Sequence, residues 1–179
     1  FPEEKRENGC VRMFGVQAKY LYPHQSFVFK IISEILLTSQ LDDEKRLYEI
    51  LSSQKVRLQS HLLSAGHMTA AQRALSYVSA VSEWQERISG ISYYRLIEDL
   101  ENHFDEKKAE LISRLQKLMK LIFRPETLTV SLTAGEQGCS GLTEEVRKFK
   151  QVLYTEPVQK GSFRWVPEQK NEGFKTSVQ

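Results

Sequence analysis

The chain reads as an α+β protein, a helix-rich unit with a small antiparallel-rich sheet. Two segments, residues 13–22 and 127–133, carry apolar side chains at period two, the signature of half-buried strands. Between and after them, apolar residues recur at helical spacing in several longer segments. The order strand, helices, strand, helix with so few strands defines the class.

The first strand is predicted from Met13 to Tyr22, where Phe14, Val16, Ala18 and Tyr20 share one face and Pro23 ends the run. From Ser26 the period changes. Phe27, Val28, Ile31, Ile32, Ile35 and Leu36 form one broad helical stripe. Next, Asp42 is the expected N-cap of a long helix, with Asp43 and Glu44 complementing its dipole. Leu47, Ile50, Leu51, Leu58 and Leu62 carry that helix to Ala65, and Gly66 stops it. Thr69 and Gln72 have capping-box spacing, and the helix they open shows a small-residue face at Ala70, Ala71 and Ala74. Small side chains admit a close neighbour, so this face is expected to be packed.

A helix after Gly90 is marked by Ile91, Tyr94, Ile97, Leu100 and Phe104, and another by Leu111, Ile112, Leu115, Leu118, Met119 and Ile122. Pro125 then separates the second strand, in which Leu128, Val130 and Leu132 should be more buried than Thr127, Thr129 and Thr133. The two strands are expected to share one sheet, with the helices from Phe27 and from Lys107 on its apolar face. Thr143 is the expected cap of a short helix through Val146, Phe149 and Val152 or Leu153. Beyond Tyr154 the helical period is lost. Ser162 to Val166 and the alternating segment from Phe174 to Gln179 read as strand-like pieces leading into another unit. The expected organisation is a domain over residues 1–155 followed by a linker and the start of a following unit over 156–179. The chain opens on Phe1-Pro2 without Met, so a part of a larger protein is the simplest account.

Composition narrows the function. Twenty-five Lys and Arg against 23 Asp and Glu give a net charge of +2 in 179 residues, which leaves no electrostatic footprint for nucleic acid. No apolar run approaches the ~20 residues of a membrane span. Two cysteines, Cys10 and Cys139, make no disulfide scaffold and suit a reducing compartment, the cytoplasm or an organelle matrix.

Candidate chemistry is absent. His24, His61, His67 and His103 include no pair at the i, i+3 or i+4 spacing of helical metal ligands, and no Glu adjoins any of them. They read as surface or capping residues. Neither cysteine has a nearby His to activate it. Gly135, Gly138 and Gly141 follow a strand, but no Gly-Lys-Ser/Thr follows them, so they read as a turn. The lysines of 107–120 alternate with Glu106 and Glu110 as a solvated face, and Tyr93 and Tyr94 fit core and flank packing. No catalytic or metal residue is assigned, and no substrate-binding residue can be named.

Several motifs occur in a characteristic order: Asp42-Asp43-x-Lys45-Arg46-Leu47 opening a helix, Ser64-Ala65-Gly66-His67 before an Ala-rich helix, Gly90-Ile91-x-Tyr93-Tyr94, and Ile122-Phe123 running into a Leu-Thr-Val strand. Together they resemble the third, non-catalytic unit of the presequence-protease-like insulinase metallopeptidases, the peptidase-associated domain of that family. The closing segment from Asn171 is similar to the family's entry into its fourth unit. The resemblance implies a parent enzyme of four related α+β units in two halves that close around a peptide-degrading chamber. It also implies zinc in the first unit, held by an inverted His-x-x-Glu-His motif that this chain lacks. The implied role is a non-catalytic piece of the C-terminal half, with no cofactor of its own, whose partners are other domains of the same polypeptide and the peptides the parent cuts. Neither nucleic acid nor membrane is an expected partner. The alternative is an independent helical module that binds a protein partner. A hydrolase complete in itself would need a nucleophile or metal site that the residues do not supply.

Overall fold

A computed structural model describes residues 12–158, 166 and 170–175. After a 3-10 turn at Tyr22–His24, the chain forms α1 (Gln25–Thr38), α2 (Glu44–Ser64), α3 (Gly66–Ser76), α4 (Ala80–Ser89) and α5 (Ile91–Asn102). Then follow α6 (Phe104–Ile122), the single turn α7 (Glu136–Cys139) and α8 (Leu142–Val152). The described residues contain helices and connecting segments but no strand.

The α+β expectation is therefore corrected to a helix-rich domain. Residues 13–21 and 127–133 are outside any helix, yet neither belongs to a ladder. Leu128 and Leu132 are half-buried among exposed Thr127, Thr129 and Thr133, while Val130 stays 37% exposed. Alternation of this kind needs only an extended chain with one side against apolar surface. A sheet needs more, a second edge whose N–H and C=O groups come into register, and none is formed among the described residues. In the first segment the expected inward residues Phe14 and Val16 are exposed, although Phe14 still meets Phe123 edge-on at 5.5 Å. Of the strand-like pieces beyond residue 160, only Val166 and residues 170–175 are described, and they carry no regular structure.

The chain divides into two compact units, and the division falls within α6. The first unit contains residues 43–109, Arg12 and the described residues beyond 160. Here α3 packs on α4, α2 on α5, and α4 on α5. Its apolar centre is Leu62, Ile91 and Tyr94, with Leu58 beside them. Helix α2 starts one residue later than the sequence suggests, since Asp43 and not Asp42 accepts the Arg46 N–H at 2.9 Å. Helix α4 is an element the periodicity reading does not contain. The Ser79 hydroxyl oxygen caps it, accepting from Ser82 N at 3.4 Å.

Helix α3 reverses two expectations. It begins at Gly66, so Thr69 lies inside it and its hydroxyl bonds back to the Ala65 carbonyl at 3.2 Å instead of capping. Ala70, Ala71 and Ala74 are exposed, whereas Thr69 and Ser76 are buried. The cause lies on α4, where the Glu86 carboxylate is fully buried and requires a cation. Arg73 supplies it, and Arg73 and Leu75 point about 200° apart around a helix. Turning Arg73 inward turns the apolar stripe outward.

The second unit contains residues 13–42 and 110–158 of the described chain. Helices α1 and α8 pack together around Leu36, Phe123, Phe149 and Leu153. Phe29 meets Phe149 edge-on at 5.8 Å. The buried line of α1 is thus Gln25, Phe29, Ile32 and Leu36, and Phe27 and Ile35 of the expected stripe are exposed. Helix α8 follows Gly141, whose φ of +78° is the left-handed region that glycine enters without strain. Thr143 lies within that helix and does not cap it.

Candidate functional site

The most developed polar arrangement lies in the first unit, where α4 gives way to α5. Gly90 alone connects the two helices, and it has no capping side chain to offer α5. Glu86 of α4 fills that role. Its Oε1 accepts the Ser92 N–H at 3.0 Å, placing a carboxylate at the positive end of the helix. Gly90 makes this geometry accessible: a Cβ there would sit 1.9 Å from Glu86 Oε2.

Arg73 neutralises the buried carboxylate. Its Nη1 donates to Glu86 Oε1 at 3.2 Å and to the Ser92 hydroxyl at 2.9 Å. Its Nε donates to the Glu172 carboxylate, which also accepts from the Tyr77 hydroxyl. The hydrogen bond from Arg73, followed by that from Tyr77, holds the Glu172 carboxyl down at about 2, from an ordinary 4.5. The same bond to Glu172 raises Arg73. Tyr77 is raised first by burial and then by its bond to Glu172. Two residues on, Phe174 meets the Tyr94 ring edge-on at 6.2 Å, and the Arg95 guanidinium lies 5.6 Å from the Phe174 ring centre.

A second network joins α2 to α5. Lys55 Nζ donates to Glu101 at 2.5 Å, which raises Lys55, while that bond and one with Ser52 lower Glu101. Gln59 Nε2 donates to the Tyr94 hydroxyl at 3.1 Å, and Tyr94 donates to Glu98 at 2.6 Å. Burial, then the bond to Glu98, raises Tyr94. Tyr94 is thus a core residue, as its helical spacing suggests, with its hydroxyl fully engaged.

In the second unit, Gln25 performs the task that Glu86 performs in the first. With its amide oriented to match its neighbours, Gln25 donates to the Gly138 carbonyl at 3.0 Å and accepts the Leu142 N–H, the first of α8, at 3.2 Å. Segments 16–22 and 131–138 line an open cleft of about 1020 Å³ in this unit. A shallower one of about 500 Å³ in the first unit is lined by Tyr48, Phe104 and neighbouring polar residues.

His24, His61, His67 and His103 are all exposed, as is Cys139, while Cys10 lies outside the described residues. Among the described residues, no three His, Cys, Asp or Glu side chains converge as a metal site would require. Lys107, Lys108 and Lys120 pair with Asp99, Glu44 and Glu156 respectively. Sequence reasoning missed Glu86 and Arg73 altogether. The available signal was a carboxylate four residues before the glycine that opens the next helix.

A helical domain whose polar residues join helix to helix, with no gathered donor set, is the class that the described residues define. The chain belongs to the peptidase M16 subfamily C associated family, whose model matches residues 1–100. It is 25% identical over 176 residues to Protein HypA of Clostridium perfringens, covering 98% of this chain and 18% of that protein. It is 23% identical over 152 residues to Presequence protease 1, chloroplastic/mitochondrial, of Arabidopsis thaliana, covering 85% of this chain and 14% of the relative. The mitochondrial presequence protease of Danio rerio is 24% identical over 122 residues, 68% of this chain and 12% of its own length. The chain thus spans less than a fifth of the length of these curated relatives. These matches support the resemblance carried by the motifs from Asp42 to Phe123.

Proposed function

We propose that the chain is a non-catalytic part of a zinc metallopeptidase and builds wall in the C-terminal half of its peptide-degrading chamber. The observation that carries this reading is the family match over residues 1–100. Physical support comes from the outward stripe of α3 and the turn after it. Met68, Leu75 and Val78 are 61%, 54% and 67% exposed, with Ala71 and Ala74 beside them. Contiguous apolar surface of this kind marks a contact face, and the other domains of the same polypeptide are its natural cover.

Zinc in this reading belongs to another part of the polypeptide, because the inverted His-x-x-Glu-His motif that the resemblance places in the first unit does not occur in this sequence. Residues 1–155 form the associated domain, and 156–179 lead into the following unit. The substrates are peptides cut by the parent enzyme. An exposed free Cys139 suits a reducing compartment, and two of the relatives are named for mitochondria or chloroplasts. No described helix is long and apolar enough to cross a membrane.

Hydrolysis of a quenched peptide tests the proposal. The full polypeptide should cleave it and lose activity to a chelator, and the 179-residue chain alone should not cleave it. Chelator-resistant cleavage that co-purifies with the chain alone would sink the non-catalytic assignment. An inactive full polypeptide would favour an independent helical interaction module.

A further inference from the structure

The contacts of residues 172–174 are more specific than a passing segment requires. Glu172 takes two donors from α3 and its C-terminus, the Arg73 Nε and the Tyr77 hydroxyl. Phe174 takes two partners from α5, the edge of Tyr94 and the guanidinium of Arg95. Side chains two apart on an extended chain point the same way, so one stretch of backbone delivers both anchors. Gly173 between them has nothing within 4 Å of the position a Cβ would take, so the middle residue is not read.

Two of the four receptor side chains, Arg73 and Tyr94, are held in place independently of the occupant. Arg73 is fixed by Glu86 and Ser92, and Tyr94 by Gln59 and Glu98. A preorganised receptor loses little freedom on binding. A carboxylate between a guanidinium and a phenol, and a ring between an aromatic edge and a cation, are both selective contacts.

We infer that Arg73, Tyr77, Tyr94 and Arg95 form a recognition site for a carboxylate-x-aromatic segment, and that the chain's own Glu172–Phe174 occupies it as a releasable latch. The latch pins the chain to α3 and α5 at the point where it leaves the unit. When it opens, it leaves a formed site for a segment of the same chemistry. This inference does not rest on the peptidase reading.

A labelled hexapeptide with the sequence of residues 170–175, Lys-Asn-Glu-Gly-Phe-Lys, is the probe, and fluorescence anisotropy the readout. The tethered segment competes at high effective concentration. The peptide should therefore bind the full chain carrying Glu172→Ala and Phe174→Ala at least tenfold more tightly than the wild-type chain. Replacing the peptide's Glu by Gln should weaken binding severalfold and its Phe by Ala about tenfold, while Gly to Ala should leave it unchanged. Because Arg73 also serves Glu86, Tyr77→Phe and Arg95→Gln are the receptor variants of choice in the vacated chain, each checked by circular dichroism. Each should weaken binding severalfold. Equal affinity for vacated and wild-type chains, no binding to either, or indifference to the peptide's Glu and Phe would overturn the inference.

Discussion

The two units solve the same problem with different chemistry. Each contains a helix with no capping side chain of its own, α5 after Gly90 and α8 after Gly141, and each borrows a cap from another helix. In the first unit the cap is the Glu86 carboxylate; in the second it is the neutral Gln25 amide. A neutral amide both donates and accepts, so Gln25 needs only Gly138 and Leu142 to be satisfied. A buried carboxylate needs a cation, the cation must itself be oriented, and the network spreads to Ser92, Glu172 and Tyr77. The charged solution links more of the chain. It also exposes that part of the chain to titration and to the loss of any one member.

The largest expected effect separates the two units at Gly90. Gly90→Ala drives a Cβ into the Glu86 carboxylate and should destabilise the first unit by about 3 kcal/mol or more, through overpacking and a displaced buried charge. Urea unfolding of the single variants and of Glu86→Ala/Gly90→Ala gives the coupling. Strictly additive losses would show that Gly90 is not there to make room for Glu86.

Gln25→Leu removes a cap of similar position but neutral character, and should cost about 1–2 kcal/mol. The loss should be the same at pH 7 and pH 4. Hydrogen exchange at the start of α8 locates it, and unchanged protection there would contradict the assigned amide bonds.

Acid should distinguish the units in the opposite sense. The Glu172 carboxyl is depressed in the folded chain, so its contribution is present above its ordinary 4.5 and is lost as pH falls towards about 2. Acid titration followed by exchange of residues 170–175 should show release over that window, and Glu172→Gln should flatten it. At neutral pH that variant should cost less than about 1 kcal/mol, because the pair is partly open to solvent. Release at the same pH with and without the substitution would remove Glu172 from the account.

What could be read in advance followed from local chemistry. The acidic start and apolar stripe placed α2 within a residue of its observed start, and Val146, Phe149 and Val152 placed α8. The sheet failed because alternation at Leu128 and Leu132 reports contact on one side and says nothing of a paired edge. Helix α4 was legible in its Ser79 cap and the acidic Glu83 of its first turn, signals that a reading by apolar period alone does not weigh. Glu86 is the exception to the rule that carboxylates stay outside. Its partner explains the rest: Arg73 faces inward to meet it, and α3 therefore turns its small and apolar side outward. The bond from Arg73 to Glu172 joins residues 99 apart, beyond any local pattern.

The smallest expected effect bears on function. Leu75→Glu should change the stability of the isolated chain by no more than about 0.5 kcal/mol, because the side chain it replaces is exposed. A larger loss in urea unfolding would mean that the α3 stripe is packed within this chain.

Carbene footprinting of the α3 stripe tests the central claim most directly, comparing the 179-residue chain with the full polypeptide that contains it. If this chain is a non-catalytic part covered by the rest of its own polypeptide, labelling at Met68, Leu75 and Val78 should fall at least threefold in the full polypeptide, while exposed Glu44 and Arg46 on α2 stay equally labelled. Equal labelling of the stripe in both would contradict that account.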